Sequence, residues 1–309
     1  MATGGTQPRN LLVLADGVQT AFVAGAVAEL ERSGRSWKRA VGAGLGAQVA
    51  VLAVLGEAQE AERRWLREAE LGCPLLDSQL ASARRRLGPT SGVLALADPW
   101  ALAGWLDPAC LAEHLAPEAA GLPDRLRRNG SRCAVALQDL GSGHCEWREL
   151  GGLTAAGAAA ALAAAAAFPA GWGPSGDRGA AAGETAWGGV GLIAALPAPW
   201  STGDEDWDVV CGVPFPAVRR PAIGSSLLES IQRRDECLAS TAVERWLAGG
   251  GRGPVVAPDA ASWAAFAEGH SVDLGVEYPP AWERNGELAR LLVGFGAFVA
   301  GRRLAGSKT

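Results

Sequence analysis

The sequence is poor in the residues that bind metals or form crosslinks. Its 309 residues include three histidines and six cysteines, and no two cysteines stand in a Cys-x-x-Cys pair. Residues 1–10 are polar and lack the basic and apolar regions of a secretory signal. We therefore expect reduced thiols in a cytoplasmic chain, with no disulfide framework, no metal site and no cofactor.

Long apolar runs and an excess of positive charge are also missing. The formal net charge is -5 and the arginine clusters are short and scattered. This argues against nucleic acid as a partner, because binding phosphates needs clustered positive charge. No stretch reaches the ~18 uninterrupted apolar residues of a membrane-spanning helix. The alanine-rich residues 155–168 predict an internal helix that ends at Pro169, and a low-complexity linker is the alternative.

The most informative local pattern lies at residues 40–55. A short apolar stretch leads into Gly42-Ala43-Gly44-Leu45-Gly46, and a run of small apolar residues follows. This order of strand, glycine turn and helix is typical of a nucleophile elbow, whose usual form is Gly-x-Ser-x-Gly. Glycine at the central position has no Cβ, so the turn is kept while the nucleophile is lost. The alternative is an ordinary tight strand-to-helix connection of an α/β fold.

The chain opens with the same arrangement of strand, turn and helix. Residues 11–14 are apolar, Gly17 follows, and Phe22, Ala26 and Leu30 then recur at helical spacing until about residue 33. Further elements are predicted as follows: an amphipathic helix at 57–70, a strand hairpin at 133–147, a strand at 206–211, a helix at 227–246 with Ser225 and Ser226 at its N-cap, a strand at 254–259 and a helix at 287–304.

This order of elements resembles the patatin-like phospholipase family. In that family a glycine-rich oxyanion loop follows the first strand, the Gly-x-Ser-x-Gly elbow comes next, and an Asp-Gly-Gly segment lies downstream. The corresponding residues here are Ala15, Asp16, Gly17 and Val18 for the loop, Gly42, Gly44 and Gly46 for the elbow, and Trp187, Gly188 and Gly189 for the Asp-Gly-Gly segment.

The resemblance covers about residues 11–211 and implies a fold. That fold is a three-layer α/β/α sandwich with a mostly parallel central sheet. We expect one domain at residues 11–304, with a variable helical insertion at 71–125 and flexible ends at 1–10 and 305–309.

The catalytic groups of the family are missing at the matching positions. Patatin-like enzymes attack an ester with a serine whose proton passes to an aspartate, while amides of the glycine loop bind the oxyanion. Gly44 and Trp187 occupy the serine and aspartate positions, Gln19 replaces the family's arginine, and Asp16 would repel a developing negative charge. We interpret Trp187 as filling the former cleft; a surface aromatic, or a shift in register by a residue or two, is the alternative.

No other side chain is a clear replacement for the nucleophile. Cys211 ends an apolar strand, where a thiol usually packs as an inert group. His114, His144 and His270 have no serine or cysteine placed beside them by a motif, and His270 is predicted to lie in a loop.

We therefore predict a catalytically inactive patatin-like protein that acts as a scaffold, regulatory or structural subunit. It would contact a protein partner or form a homo- or hetero-oligomer. Twelve tryptophans against one tyrosine, several of them in predicted loops, are consistent with a partner surface. Two alternatives stay open: a lipid acyl hydrolase with a relocated nucleophile, and a module that binds an acyl lipid in a retained cleft.

Overall fold

The computed structural model describes residues 9–71, 119–139, 145–166, 187–189, 206–215, 227–248, 251–270, 278 and 286–306. Within these residues the strands are β1 Arg9–Leu14, β2 Trp37–Ala43, β3 Arg132–Asp139, β4 Cys145–Glu149, β5 Trp187–Gly189, β6 Trp207–Cys211 and β7 Val255–Val256. The helices are α1 Gln19–Arg32, α2 Gly46–Val54, α3 Ala58–Glu70, α4 Leu122–Asn129, α5 Ala155–Ala166, α6 Leu227–Ala248, α7 Ala260–His270 and α8 Gly286–Gly306.

The strands form one mixed sheet in the order β4-β3-β2-β1-β6-β7, with β5 added beside β3. The pairs β1–β2, β2–β3, β1–β6 and β6–β7 are parallel. Strands β4 and β5 both run antiparallel to β3. The α/β prediction is thus confirmed as a mixed sheet with helices.

Strand β1 lies in the middle of the sheet and is buried on both faces. Leu11 and Val13 belong to an apolar cluster that includes side chains of α1, α2, α3 and α8. Leu12 and Leu14 belong to a second cluster, which includes Ala239 and Val243 of α6. A strand covered on both faces needs apolar side chains at consecutive positions, which explains the unbroken run in the sequence.

Helices α1 and α8 pack closely through two glycines. A Cβ on Gly25 would lie 2.0 Å from the carbonyl oxygen of Val293, and a Cβ on Gly296 would lie 2.0 Å from that of Phe22. The two backbones can approach this closely only because each glycine carries a hydrogen atom in place of a Cβ. The contact fixes the long C-terminal helix against the helix that follows β1.

Most predicted elements are found close to their predicted bounds. The prediction for His270 is wrong: it is the last residue of α7, and its Nδ1 lies 2.8 Å from the carbonyl oxygen of Phe266. Residues 72–118, which make up most of the predicted insertion, lie outside the described residues. No described helix has both the length and the apolarity needed to cross a bilayer.

Candidate functional site

The residues of the predicted elbow form a strand-turn-helix connection at the carboxyl end of β2. The strand ends at Ala43, Gly44 has φ +63°, and α2 begins at Gly46. The turn is held by the amide of Ala47, which donates to the carbonyl oxygen of Gly44 at 3.1 Å. Glycine suits this position because the left-handed backbone conformation is sterically unfavourable for residues that carry a Cβ.

Gly44 has no space for a side chain. A Cβ built on it would lie 2.3 Å from the carbonyl oxygen of Ala15 and 3.1 Å from Cγ of Asp16. The nearer obstacle is backbone, so no rotamer change relieves the overlap. The position where a nucleophile would project is therefore filled by residues 15 and 16.

The loop after β1 is hydrogen-bonded to the elbow. The amide of Gly46 donates to the carbonyl oxygen of Ala15 at 2.9 Å, and the amide of Ala15 donates to that of Ala43 at 3.4 Å. Ala15 and Val18 are fully buried, and Asp16 is 6% exposed. The loop is thus part of the packed interior at this edge of the sheet.

The amide of Gly17 is also engaged within the loop. It donates to the Asp16 carboxylate, Oδ1, at 3.3 Å. This is the kind of backbone donor that an oxyanion hole directs at substrate. A carboxylate at the same point opposes the build-up of a second negative charge nearby.

The far side of the loop is closed by the end of β6. The amide of Gly212 donates to the carbonyl oxygen of Leu14 at 2.7 Å. A Cβ on Gly212 would meet the carbonyl oxygen of Gln19 at 2.9 Å and Cβ of Ala15 at 3.0 Å. The loop after β1 therefore packs between the turn at Gly44 and the turn at Gly212.

A buried polar pair adjoins this loop. Nε2 of Gln19 donates to Oε1 of Glu236 at 3.3 Å, and the two side chains are 1% and 9% exposed. Gln19, which was predicted to replace an arginine, thus bonds a carboxylate of α6 through its side-chain amide. Sequence reasoning missed Glu236, which lies 217 residues away in the chain and belongs to no local motif.

Cys211 lies at the carboxyl end of β6 and is buried. Burial raises the pKa of its thiol to about 12, and the charge of Glu236 adds to that rise. Burial likewise raises the pKa of the Cys133 thiol on β3. Both groups stay protonated at neutral pH, and a thiol in that state is a poor nucleophile.

Residues 187–189 approach the elbow through β3. The last β2 pair with β3 joins Gly42 and Val135, and β5 then pairs Gly189 with Leu137 and Trp187 with Asp139. Strand β4 pairs with one edge of β3 and strand β2 with the other. Strand β5 pairs with the same edge as β2, just beyond the point where the pairing with β2 ends. The backbone of this segment thus continues the sheet beside the turn. The filling of the cleft by the Trp187 indole stays a prediction.

The other candidate residues do not gather into a site within the described part of the chain. His114, His144, Ser225 and Ser226 lie outside it. Across the described ranges, no three residues among His, Cys, Asp and Glu are placed to hold a metal ion.

The comparisons with known proteins give a distant structural likeness but no match in sequence. No protein-family model and no curated protein matches the chain. Among solved structures, VipD from Legionella pneumophila is similar with a TM-score of 0.41 and 11% identity. The likeness covers 70% of this chain and 51% of VipD, so this chain corresponds to about half of that protein. A likeness of this size transfers no function, which has to be argued from the site itself.

Proposed function

We propose that this protein is a catalytically inactive, patatin-like α/β/α protein with a mostly parallel central sheet, which acts in the cytoplasm as a scaffold or regulatory subunit. The observation that carries the proposal is the contact at Gly44, where a Cβ would lie 2.3 Å from the Ala15 carbonyl oxygen. An acyl-transfer enzyme needs a side-chain nucleophile at that point. Here the backbone of the preceding loop occupies it.

An amide of the former oxyanion loop makes an internal bond instead. The amide of Gly17 donates to the Asp16 carboxylate. Removing one oxyanion donor from a working enzyme typically costs about 100-fold to 1,000-fold in rate. With this donor engaged and a carboxylate beside it, catalysis by this loop would be strongly impaired even if a nucleophile were restored.

A relocated nucleophile finds no support at this edge of the sheet. Cys211 is a buried thiol with a pKa of about 12. The hydroxyl of Thr20 is fully buried, and among the described residues it has no hydrogen-bond partner that could take its proton. Activation of a hydroxyl or thiol requires such a base, or a lowered pKa.

A role in binding other proteins fits the remaining observations. Among the described residues, the loop after β1 packs tightly against the elbow and leaves no room for a side chain at Gly44. The described cysteines 133, 145, 211 and 237 are free thiols, which suits a reducing compartment. We therefore expect the protein to act through a stable complex, with itself or with another chain.

The test combines activity with assembly. Purified protein is assayed against p-nitrophenyl butyrate and a long-chain phospholipid, and we expect no turnover above buffer for the wild type and for the double variant G44S/W187D. Turnover that disappears on mutating one serine, Ser225→Ala or Ser226→Ala, would overturn the proposal. Native mass spectrometry then examines the protein isolated from its own cells. A complex of fixed stoichiometry supports the scaffold, whereas a monomer that retains an acyl lipid favours a lipid-binding module.

A further inference from the structure

A cavity lies at the opposite end of the sheet from the elbow. Its volume is about 360 Å³, and it opens where β1, β6 and β7 begin. Arg9, Arg35, Arg303 and Asp206 line it together with apolar side chains that include Leu30 and Val256. Pockets that bind small molecules have volumes of about 300–1,000 Å³, with mostly apolar walls and a few polar groups.

One of the three arginines is already neutralised. Nε of Arg9 donates to Oδ1 of Asp208 at 2.9 Å, and its Nη1 donates to Oδ2 of Asp206 at 3.1 Å. Arg35 and Arg303 have no carboxylate within salt-bridge distance in the part of the chain that the structure describes. Among the described residues, the cavity therefore carries two guanidinium groups without a carboxylate partner.

Arg35 is held at the cavity by the end of α1. The amide of Arg35 donates to the carbonyl oxygen of Leu30 at 3.1 Å, and the amide of Gly34 donates to the carbonyl oxygen of Glu31 at 2.9 Å. Gly34 has φ +92°. These two bonds form a Schellman motif, in which the residue at the position of Arg35 commonly packs against the one at the position of Leu30. Both residues line the cavity, so the motif sets a cation beside an apolar wall.

Arg303 comes from the last turn of α8. The glycine contact between α1 and α8 brings that turn over the end of α1. An arginine in a last turn also interacts with the terminal carbonyls of its own helix, which is its ordinary role. The ends of α1 and α8 both contribute partial negative charge here, and the Schellman bonds satisfy two of the terminal carbonyl oxygens of α1.

We propose that this cavity binds a small amphipathic anion, with an oxyanion head on Arg35 and Arg303 and a short apolar body against Pro254 and Leu304, the partly exposed apolar side chains of its wall. Guanidinium groups suit carboxylate and phosphate heads, because their N–H groups match two oxygens of either. This site is independent of the elbow and of the proposed scaffold role.

The experiment is isothermal titration of the full chain with hexyl phosphate and hexanoate, with 1-hexanol and inorganic phosphate as controls. We expect a hexyl anion to bind and both controls to bind at least about tenfold more weakly, since head and body each contribute. Comparison of hexyl phosphate with hexanoate then identifies the preferred head. Binding should weaken with added salt, because the guanidinium groups are partly exposed.

Variants separate the site from helix capping. Arg35→Gln and Arg303→Gln should each weaken binding on the order of tenfold. The matched control is Arg302→Gln, the next residue of α8, whose guanidinium lies 5.6 Å from the Phe298 ring centroid. The proposal would be overturned if R303Q lost thermal stability while its binding stayed unchanged. It would also be overturned if 1-hexanol or inorganic phosphate bound as tightly as the hexyl anions, or if neither hexyl anion bound.

Discussion

The amide of Gly46 donates to the carbonyl oxygen of Ala15 at 2.9 Å, which joins the first turn of α2 to the loop after β1. A second bond, from the amide of Ala15 to the carbonyl oxygen of Ala43, joins the same two segments. The loop and the turn at Gly44 therefore satisfy each other's backbone groups. The proposed loss of catalysis follows from this mutual closure.

Adding a methyl group at the elbow should destabilise the fold. Gly44→Ala brings a Cβ to 2.3 Å from the Ala15 oxygen at φ +63°, so we expect a loss of about 2 to 4 kcal/mol in the free energy of unfolding. The matched control is Gly34→Ala, where φ is +92° but nothing lies within 4 Å. Strain alone should cost it about 1 kcal/mol. Urea unfolding of both variants measures the difference, and equal losses would show that the elbow is not tightly packed.

The glycine contact between α1 and α8 predicts a contrast within one helix. Gly296→Ala should destabilise by about 1 to 3 kcal/mol, because its Cβ would meet the Phe22 carbonyl oxygen. Gly301→Ala lies on the same helix with nothing within 4 Å, and should stabilise by up to about 1 kcal/mol through helix propensity. Thermal melts decide this, and a Gly296→Ala variant as stable as Gly301→Ala would contradict the close packing.

Asp208 is a fully buried carboxylate at the start of β6. It accepts from Nε1 of Trp37 at 2.8 Å and from Nε of Arg9 at 2.9 Å. Asp208→Asn should cost about 2 to 4 kcal/mol, because the largely buried Arg9 side chain loses the charged partner that lies in the interior. Asp206→Asn, at the 53% exposed end of the same network, should cost less than about 1 kcal/mol. Similar costs in urea unfolding would show that burial does not decide the strength of this network.

Cysteine labelling should follow burial. Cys145 and Cys237 are exposed and should react readily with iodoacetamide, whereas Cys133 and Cys211 are buried and should react only on unfolding. Peptide mass spectrometry of the native protein gives the pattern. Labelling of Cys211 as fast as Cys145 would contradict its buried position.

Alkaline pH should weaken the fold through the same thiol. Burial raises the pKa of Cys211 from 9.0 to about 12 in the folded state. The unfolded chain therefore loses this proton first, so the stability contributed is complete below pH 9 and is lost as pH rises towards 12. Cys211→Ala should reduce the fall in unfolding free energy over that range, and an unchanged pH profile would contradict this assignment.

Local sequence patterns predicted the elements well, since their causes are local. The apolar run of β1, the glycine turn at Gly44 and the helical spacing of Phe22, Ala26 and Leu30 each specify one element. The sequence also shows directly that position 44 carries no side-chain oxygen, because glycine occupies it. The antiparallel addition of β5 to β3 could not be predicted, since strand pairing depends on distant residues.

The closure of the site was beyond sequence reasoning for the same reason. Gln19 and Glu236 meet across 217 residues, and nothing in either neighbourhood indicates the other. Asp208 could have been identified from the sequence, because an acidic residue is unusual within the apolar residues of a buried strand such as β6. Its partners Arg9 and Trp37 can be identified only from the order of the strands in the sheet, in which β1 lies between β2 and β6.

The network around Asp208 has a consequence for how the chain reaches its fold. Arg9 and Asp208 are separated by 199 positions, yet they fasten neighbouring strands at the centre of the sheet. Such distant pairing raises the contact order, which slows folding and leaves the first strand without its second neighbour until most of the polypeptide has been synthesised. During translation, the early strands would expose an open edge, and fragments that stop before β6 should aggregate rather than accumulate as folded protein.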